Sequence, residues 1–256
     1  MPARKTPAIV IRSRDYGEAD RIVTFLSPEV GRLTAIAKGA RKSKRRFLNS
    51  LEPFSRVNLI YTERPNRDLG RIDNCELVSS YPGLRQDLQR LGVAACLSEL
   101  AGEIVGTQEN VPETFAALEL ALNLLDQGLS PESLLCSFLF RFLALAGYGP
   151  RWQACLVCQQ VPRGPLWFDI DQGGVICGSC TTKASGRLYP LQVGTWKLLR
   201  RAQTLPLAKL SRLRFDPWAQ KQCLGLAQGF IHHHWGRDLR SFKFLEKISP
   251  RDPGDP

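Results

Sequence analysis

Four cysteines in the second half of the chain stand in two pairs, each with two residues between its members: Cys155 with Cys158, and Cys177 with Cys180. Two intervening residues allow one tight turn to direct both sulfurs at the same ion. Eighteen residues separate the two pairs, which is within the spacing typical of four-cysteine zinc sites. The spacing therefore predicts one zinc ion held by four thiolates, with a redox pair or buried thiols as the alternatives.

The predicted zinc is structural, because four sulfurs complete a tetrahedron and leave no position for a reacting water. Residues 166–170 and 175–176 have the pattern of two short strands joined by a glycine-containing turn, and such a hairpin would bring the second pair opposite the first. The other cysteines lie within apolar patterns and are interpreted as core residues rather than disulfide partners. They are Cys75, Cys96, Cys136 and Cys223.

A second cluster is cationic. Residues 38–46 contain six basic side chains in nine positions: Lys38, Arg41, Lys42, Lys44, Arg45 and Arg46. Like charges at this density repel one another, and nucleic-acid phosphates would relieve that repulsion while releasing condensed counterions. We predict that this basic loop, together with Arg14, contacts DNA; the alternative is a solvated surface loop.

The charge of the whole chain supports an anionic partner. The formal net charge is +11, but it is unevenly distributed. Residues 1–80 carry +7 and residues 151–256 carry +9, whereas residues 81–150 carry −5. Two basic segments flanking an acidic one indicate two cationic surfaces with a different role between them. We interpret the acidic segment as a protein-binding region, which Leu91, Ala95 and Leu100 could border.

Motifs of enzymes are missing from the sequence. It contains no phosphate-binding Gly-x-x-x-x-Gly-Lys-Ser/Thr loop, no His-Glu-x-x-His and no Gly-x-Ser-x-Gly. His232, His233 and His234 are consecutive, and neighbours on a helix point about 100° apart, so three in a row cannot converge on one ion. We therefore expect a protein that is not an enzyme. Without a signal peptide or an apolar run of about 20 residues, a cytoplasmic location is also expected.

The elements that would position these residues follow a simple order. Residues 7–80 contain five short segments with strand patterning, which is typical of a small barrel such as an OB-fold. Residues 81–150 have helical periodicity, and so do 193–203 and 217–247. The predicted class is α+β: an OB-fold domain at 1–80, then a helical domain at 81–256 with an inserted zinc module at 151–182.

Several of these segments, in this order, resemble the RecO family of bacterial repair and recombination proteins. The similar segments are residues 9–20, 31–33, 37–42, 51–54, 147–150 leading to Cys155, and 236–241 with Leu245. The likeness covers nearly the whole chain, which is more specific than any single motif. The loop diverges after Lys42, so the family's DNA contacts cannot be transferred beyond Arg41 and Lys42.

The resemblance implies activities that composition and spacing do not. It implies binding to single- and double-stranded DNA, annealing of complementary strands and displacement of single-strand-binding protein, whose tail would bind the acidic helical region. It also implies a partnership with RecR, an indirect one with RecA, and a place at the bacterial nucleoid. Two alternatives remain: a zinc-ribbon RNA-binding or transcription-associated protein, and a zinc-containing nucleic-acid-modifying enzyme, which would need an open metal site.

Overall fold

The computed structural model describes residues 2–43, 46–63, 69–105 and 110–248. The chain forms two compact units, one of Met1–Asp87 with Ser98–Gln127 and one of Leu88–Leu97 with Gly128–Pro256. Residues 98–127, which the sequence places in the helical domain, thus group with the N-terminal strands. The domain limits at residue 80 and at 151–182 stay predictions.

The first unit contains a closed five-stranded barrel with the strand order β1-β2-β3-β5-β4. Its strands are β1 (Arg4–Tyr16), β2 (Asp20–Ser27), β3 (Gly31–Ala37), β4 (Arg56–Thr62) and β5 (Gly70–Ser79). Along β4, buried and half-buried residues alternate strictly, so Val57, Leu59 and Tyr61 point into the barrel. All neighbours pair antiparallel except β3 and β5, which close the barrel in parallel. The predicted OB-fold barrel is confirmed.

Helices pack on this barrel within the first unit. They are the second half of α1 (Leu88–Ile104) and all of α2 (Val111–Asp126). Gly31, at the β2–β3 turn, has a φ of +70°, and a Cβ there would meet Val105 at 2.9 Å. Glycine therefore permits both the turn and the close approach of the helical segment. On α2, Glu119 accepts a hydrogen bond from Nε of Arg56 at 2.5 Å.

The second unit combines helices with a small three-stranded sheet, in the order β7-β6-β8. Its elements are α3 (Pro131–Leu145), β6 (Leu166–Asp169), β7 (Gly174–Cys177), β8 (Leu188–Leu191), α4 (Val193–Thr204), α5 (Pro217–Trp235) and α6 (Arg240–Ile248). The helical segment predicted at 217–247 is two helices, because Gly236 adopts the left-handed conformation, with a φ of 67°, and ends α5. Strand β8 is absent from the sequence prediction.

An aromatic cluster joins the sheet to the helices of this unit. The Trp152 ring is fully buried and lies 5.5 Å from Phe140 of α3 and 5.0 Å from Phe168 of β6, measured between ring centroids. Its carbonyl oxygen accepts a 2.9 Å hydrogen bond from the indole N–H of Trp196 on α4. Trp152 therefore holds three elements together. Among the described helices, none is both long enough and apolar enough to cross a membrane.

Candidate metal centre and nucleic-acid interface

The fold brings the two cysteine pairs together. The sulfur atoms of Cys155, Cys158, Cys177 and Cys180 all lie within 4.8 Å of one another. Three of the four side chains are buried and Cys158 is exposed. A tetrahedral ion with metal–sulfur bonds of about 2.3 Å separates its sulfurs by about 3.8 Å. Only small movements are needed for the four thiols to hold one metal ion.

Local backbone geometry explains this convergence. The first pair lies in a tight turn, in which Gln159 has a φ of 59° and donates its N–H to the carbonyl of Cys155 at 2.9 Å. Leu156 donates to the carbonyl of Val175 on β7, also at 2.9 Å, which ties this turn to the strand that ends at Cys177. The second turn is a short 3-10 helix over Gly178–Lys183 and contains Cys180. The sheet thus sets the position of each pair.

Two of these thiols, Cys155 and Cys177, have pKa values shifted in opposite directions. Burial alone would raise the pKa of Cys155, but hydrogen bonds from the backbone N–H groups of Cys158, Cys177 and Val157 lower it to about 6. Burial raises the pKa of Cys177 to about 11, and the neighbouring Cys155 sulfur adds to the rise. At neutral pH the site therefore favours an ionised Cys155 sulfur beside a protonated Cys177 thiol. A bound divalent cation reverses this preference, because metal ligation requires ionised sulfurs.

The basic loop is attached to the β1–β2 hairpin by an acidic residue. The carboxylate of Asp20 accepts hydrogen bonds from Nζ of Lys38 at 2.5 Å and from the N–H of Gly39 at 2.8 Å. The bond from Lys38 holds the pKa of Asp20 below its usual range, with the Gly39 bond acting in the same direction. The carboxylate is therefore ionised at neutral pH and fixes the start of the loop.

Two arginines of the loop have partners, one on the same hairpin and one within the loop. Arg41 Nε lies 3.5 Å from the carboxylate of Asp15, and the Arg41 N–H donates to the carbonyl of Ala19 at 2.9 Å. Arg46 donates to the carbonyl of Lys38 at 2.6 Å, and its guanidinium lies over the Phe47 ring at 4.6 Å from the centroid. In the described part of the loop, Arg41 thus bonds to the hairpin and Arg46 bonds back to Lys38 at the start of the loop.

The remaining candidate DNA contacts are Arg14, Lys42, Lys44 and Arg45. Arg14 on β1 and Lys42 in the loop are both exposed. Lys42 makes no ion pair with any residue in the described part of the chain. Lys44 and Arg45 lie outside the described residues. Of the six cations of the loop, the structure thus describes four: Lys38, Arg41, Lys42 and Arg46.

The three consecutive histidines differ in their principal partners. Nδ1 of His232 lies 2.9 Å from Asp238, whereas Nδ1 of His233 lies 3.2 Å from Asp171. The His234 ring packs on Phe230, with ring centroids 4.2 Å apart. Within the described ranges, the cysteine quartet is the group of side chains that could hold a metal ion.

Of the residues expected to border a protein-binding groove, Leu100 is fully buried. It belongs to the core and cannot contact a partner directly. Leu91 and Ala95 are half-buried on the part of α1 that belongs to the second unit. A binding role for residues 81–150 thus stays a prediction.

Comparison with known proteins assigns the chain. The family model described as Recombination protein O N terminal matches residues 1–81, and the one described as Recombination protein O C terminal matches residues 85–243. The chain belongs to the RecO family. This membership confirms the resemblance noted in the sequence.

Relatives of similar length support the assignment. The DNA repair protein RecO of Syntrophus aciditrophicus (strain SB) is 35% identical over 247 residues, which cover 95% of each chain. The DNA repair protein RecO of Anaeromyxobacter dehalogenans (strain 2CP-1 / ATCC BAA-258) is 37% identical over 251 residues, or 98% of each chain. That of Pelotomaculum thermopropionicum (strain DSM 13744 / JCM 10971 / SI) is 34% identical over 256 residues, covering 99% of this chain and 98% of the relative. RecO membership supports a role in DNA repair and recombination and does not favour the RNA-binding alternative.

Proposed function

We propose that this RecO-family chain is a DNA-binding mediator that anneals complementary strands and helps to replace single-strand-binding protein with RecA. The observation that carries the proposal is the basic loop, which is held on a closed OB-fold barrel by Asp20 and Asp15. Loops of such barrels commonly bind oligonucleotides. No covalent bond is made or broken in annealing, so the mechanism needs cationic surfaces rather than catalytic groups.

The mechanism is electrostatic. Two complementary strands repel each other through their phosphates, and a protein that neutralises both lowers the cost of bringing them together. In this proposal the contacts are made by Arg14, Lys38, Arg41, Lys42, Lys44, Arg45 and Arg46. Because Lys38 and Arg41 are already bonded to the hairpin, the described part of the loop requires little additional ordering on binding. Phosphate contacts carry no base information, and annealing must tolerate every sequence.

We further propose that the metal held by the four cysteines is zinc. Four thiolates in a tetrahedral arrangement are a donor set that zinc prefers, and the closed site assigns it a structural role. Zinc would supply folding free energy to a module whose sheet has only three short strands. The four cysteine ligands would join the first turn to the second, which follows β7.

The partners in this proposal are single- and double-stranded DNA, the tail of single-strand-binding protein, and RecR, with RecA reached indirectly. What supports them is RecO membership together with the charge pattern. The acidic segment 81–150 is unsuited to phosphate and leaves the basic segments for DNA. The protein is expected to work in the bacterial cytoplasm, on DNA of the nucleoid.

Neutralising the basic loop is expected to weaken DNA binding without sequence bias. The variant replaces Arg41, Lys42, Lys44, Arg45 and Arg46 together by glutamine. Each lost phosphate contact should reduce the slope of log affinity against log salt by about 0.9 on duplex DNA and by about 0.7 on single strands. Titrations at several salt concentrations measure the slope, and a strand-annealing assay with and without single-strand-binding protein measures the activity.

The matched control is a charge-preserving variant of the same five residues. In it each arginine is replaced by lysine and each lysine by arginine. It should keep both the salt slope and the annealing rate, because a phosphate contact requires charge rather than one particular side chain. If the glutamine variant is folded and shows an unchanged slope, the loop is only a solvated surface and the proposed site is wrong.

A further inference from the structure

A groove of about 820 Å³ opens on the surface of the second unit, far from the basic loop along the sequence. It lies where the β6–β8 edge of the sheet meets the first turns of α4 and α5. Its apolar lining is made of flat rings and short aliphatic groups. The residues that matter are Pro165, Trp167, Pro190, Val193, Trp218 and Gln222.

Two tryptophans give this groove its character. Trp218, in the first turn of α5, is 58% exposed, which is unusual for so large an apolar side chain. Trp167 on β6 is half-buried and is the register partner of Pro190 on β8, so the indole and the pyrrolidine ring lie side by side on one face of the sheet. The groove therefore offers flat faces for stacking rather than a deep apolar pocket.

The buried polar side chain of the groove, Gln222, is already engaged. Oε1 of Gln222 accepts a 2.7 Å hydrogen bond from the hydroxyl of Thr195, and its Nε2 donates to the carbonyl of Pro190 at 3.3 Å. Gln222 is also buried, so it fixes the floor of the groove and cannot turn outward to a ligand without losing both bonds. A ligand would thus be held by stacking, with no selection through hydrogen bonds from this side chain.

Two lysines follow lining residues of the groove at helical spacing. Lys197 is four residues beyond Val193 on α4, and Lys221 is three residues beyond Trp218 on α5, spacings that place each lysine on the same helix face as a lining residue. Both lysines are exposed. The closest carboxylate to Trp218 along the chain, Asp216, caps α5 by accepting the N–H of Ala219 at 2.8 Å. The border therefore suits an anionic ligand.

We propose that this groove binds a stretch of single-stranded DNA, with unpaired bases stacked on Trp218 and Trp167 and the phosphates facing Lys197 and Lys221. Aromatic faces beside a cationic border are the combination by which proteins hold single strands without sequence preference. The inference rests on the proposed function and adds a second DNA-contacting surface, outside the barrel. It gives the two basic segments different tasks: the loop contacts phosphates of any strand, and the groove selects strands whose bases are free.

The test compares Trp218→Ala, Trp218→Phe and the unchanged full-length protein on an oligo(dT) strand and on a duplex. Stacking contributes about 1–3 kcal/mol per base, so the alanine variant should lose about 5- to 150-fold in affinity for oligo(dT). Phenylalanine should retain part of that affinity because it keeps a stacking face. Affinity for duplex should change by less than about 2-fold, since paired bases are not available to stack.

Phe244→Ala is the matched control, because Phe244 on α6 is another exposed aromatic side chain, 40% exposed, and is not part of the groove lining. It should bind both DNAs as the unchanged protein does. Replacing Lys197 and Lys221 together by alanine should lower the salt slope on oligo(dT) by about 1.4, at about 0.7 per contact. Circular dichroism confirms that each variant is folded.

Three results would overturn the assignment: unchanged oligo(dT) binding by Trp218→Ala, an equal loss on duplex, or tight binding of an acidic aromatic peptide in the groove without any effect on DNA. Measuring the glutamine variant of the basic loop in parallel separates the two proposals. If only the loop variant is weakened, the groove assignment fails alone. If only Trp218→Ala has a lowered affinity for DNA, the proposed loop site is wrong and the groove assignment is supported.

Discussion

Replacing Cys155 by serine is expected to abolish metal binding and to unfold the module that carries both cysteine pairs. Cys155 is fully buried, and its sulfur accepts a hydrogen bond from the N–H of Cys177 at 3.4 Å. A serine hydroxyl does not ionise at neutral pH and cannot replace the thiolate. Structural zinc sites in small peptides contribute about 10 kcal/mol or more of apparent binding free energy, which exceeds what three short strands can supply. Metal content per chain and limited proteolysis of residues 151–191 measure the two effects.

Cys75→Ala is the control for this experiment. Cys75 is buried in the barrel, and burial raises its pKa to about 11, so it is an inert core thiol. The variant should keep one metal ion per chain. A chelator added to the unchanged protein should reproduce the Cys155→Ser result. Purified protein without metal, with all four thiols freely reactive and the module still folded, would contradict the prediction.

Replacing Trp152 by alanine is expected to cost about 3–5 kcal/mol of unfolding free energy, the range observed for deletion of large buried aromatic side chains. The ring is fully buried between Phe140 of α3 and Phe168 of β6, so alanine leaves a cavity that two elements line. Chemical denaturation measures the loss. Because Trp152 joins the sheet to the helices, the three-stranded sheet should become protease-sensitive at lower denaturant concentration.

Trp152→Phe separates packing from hydrogen bonding. The indole nitrogen of Trp152 has no hydrogen-bond partner in the part of the chain that the structure describes. Phenylalanine therefore removes no bond and keeps most ring contacts with Phe140 and Phe168. Its cost should be well below that of alanine. Equal losses for the two variants would contradict the prediction, because the phenyl ring that the second variant keeps would then add no stability.

The sequence predicts well the features that depend on neighbouring residues. Two Cys-x-x-Cys pairs imply tight turns, and the hairpin pattern between them implies that the turns meet, as the positions of Cys155 and Cys177 show. The five strands of the barrel are predicted from short segments that are apolar, β-branched or alternating. Strand β8 was missed because it has four residues including Pro190, which lacks the N–H that a strand usually donates.

Contacts between residues far apart along the chain could not be predicted from the sequence. The density of cations at 38–46 indicates repulsion, but it does not show that Asp20 and Asp15 hold the loop in place. Trp167 and Trp218 lie far apart along the chain, and buried tryptophan is the ordinary expectation for each. Only the fold reveals that Trp218 is exposed and faces the same groove as Trp167. The available sequence signal for an exposed Trp218 is its place directly after Pro217, in the first turn of α5.

The closure of the barrel has a consequence for its motion. Strand β3 is paired with β2 along its whole length, from Gly31 to Ala37, but with β5 only at Ala35 and Ile36. So short a parallel seam is the line along which the barrel separates at the lowest free-energy cost. The basic loop follows β3 and is bonded to the β1–β2 hairpin, on the near side of that seam. Opening of this seam would leave Lys38 bonded to Asp20 and Arg41 bonded to Asp15, so the described part of the loop would stay attached to the hairpin.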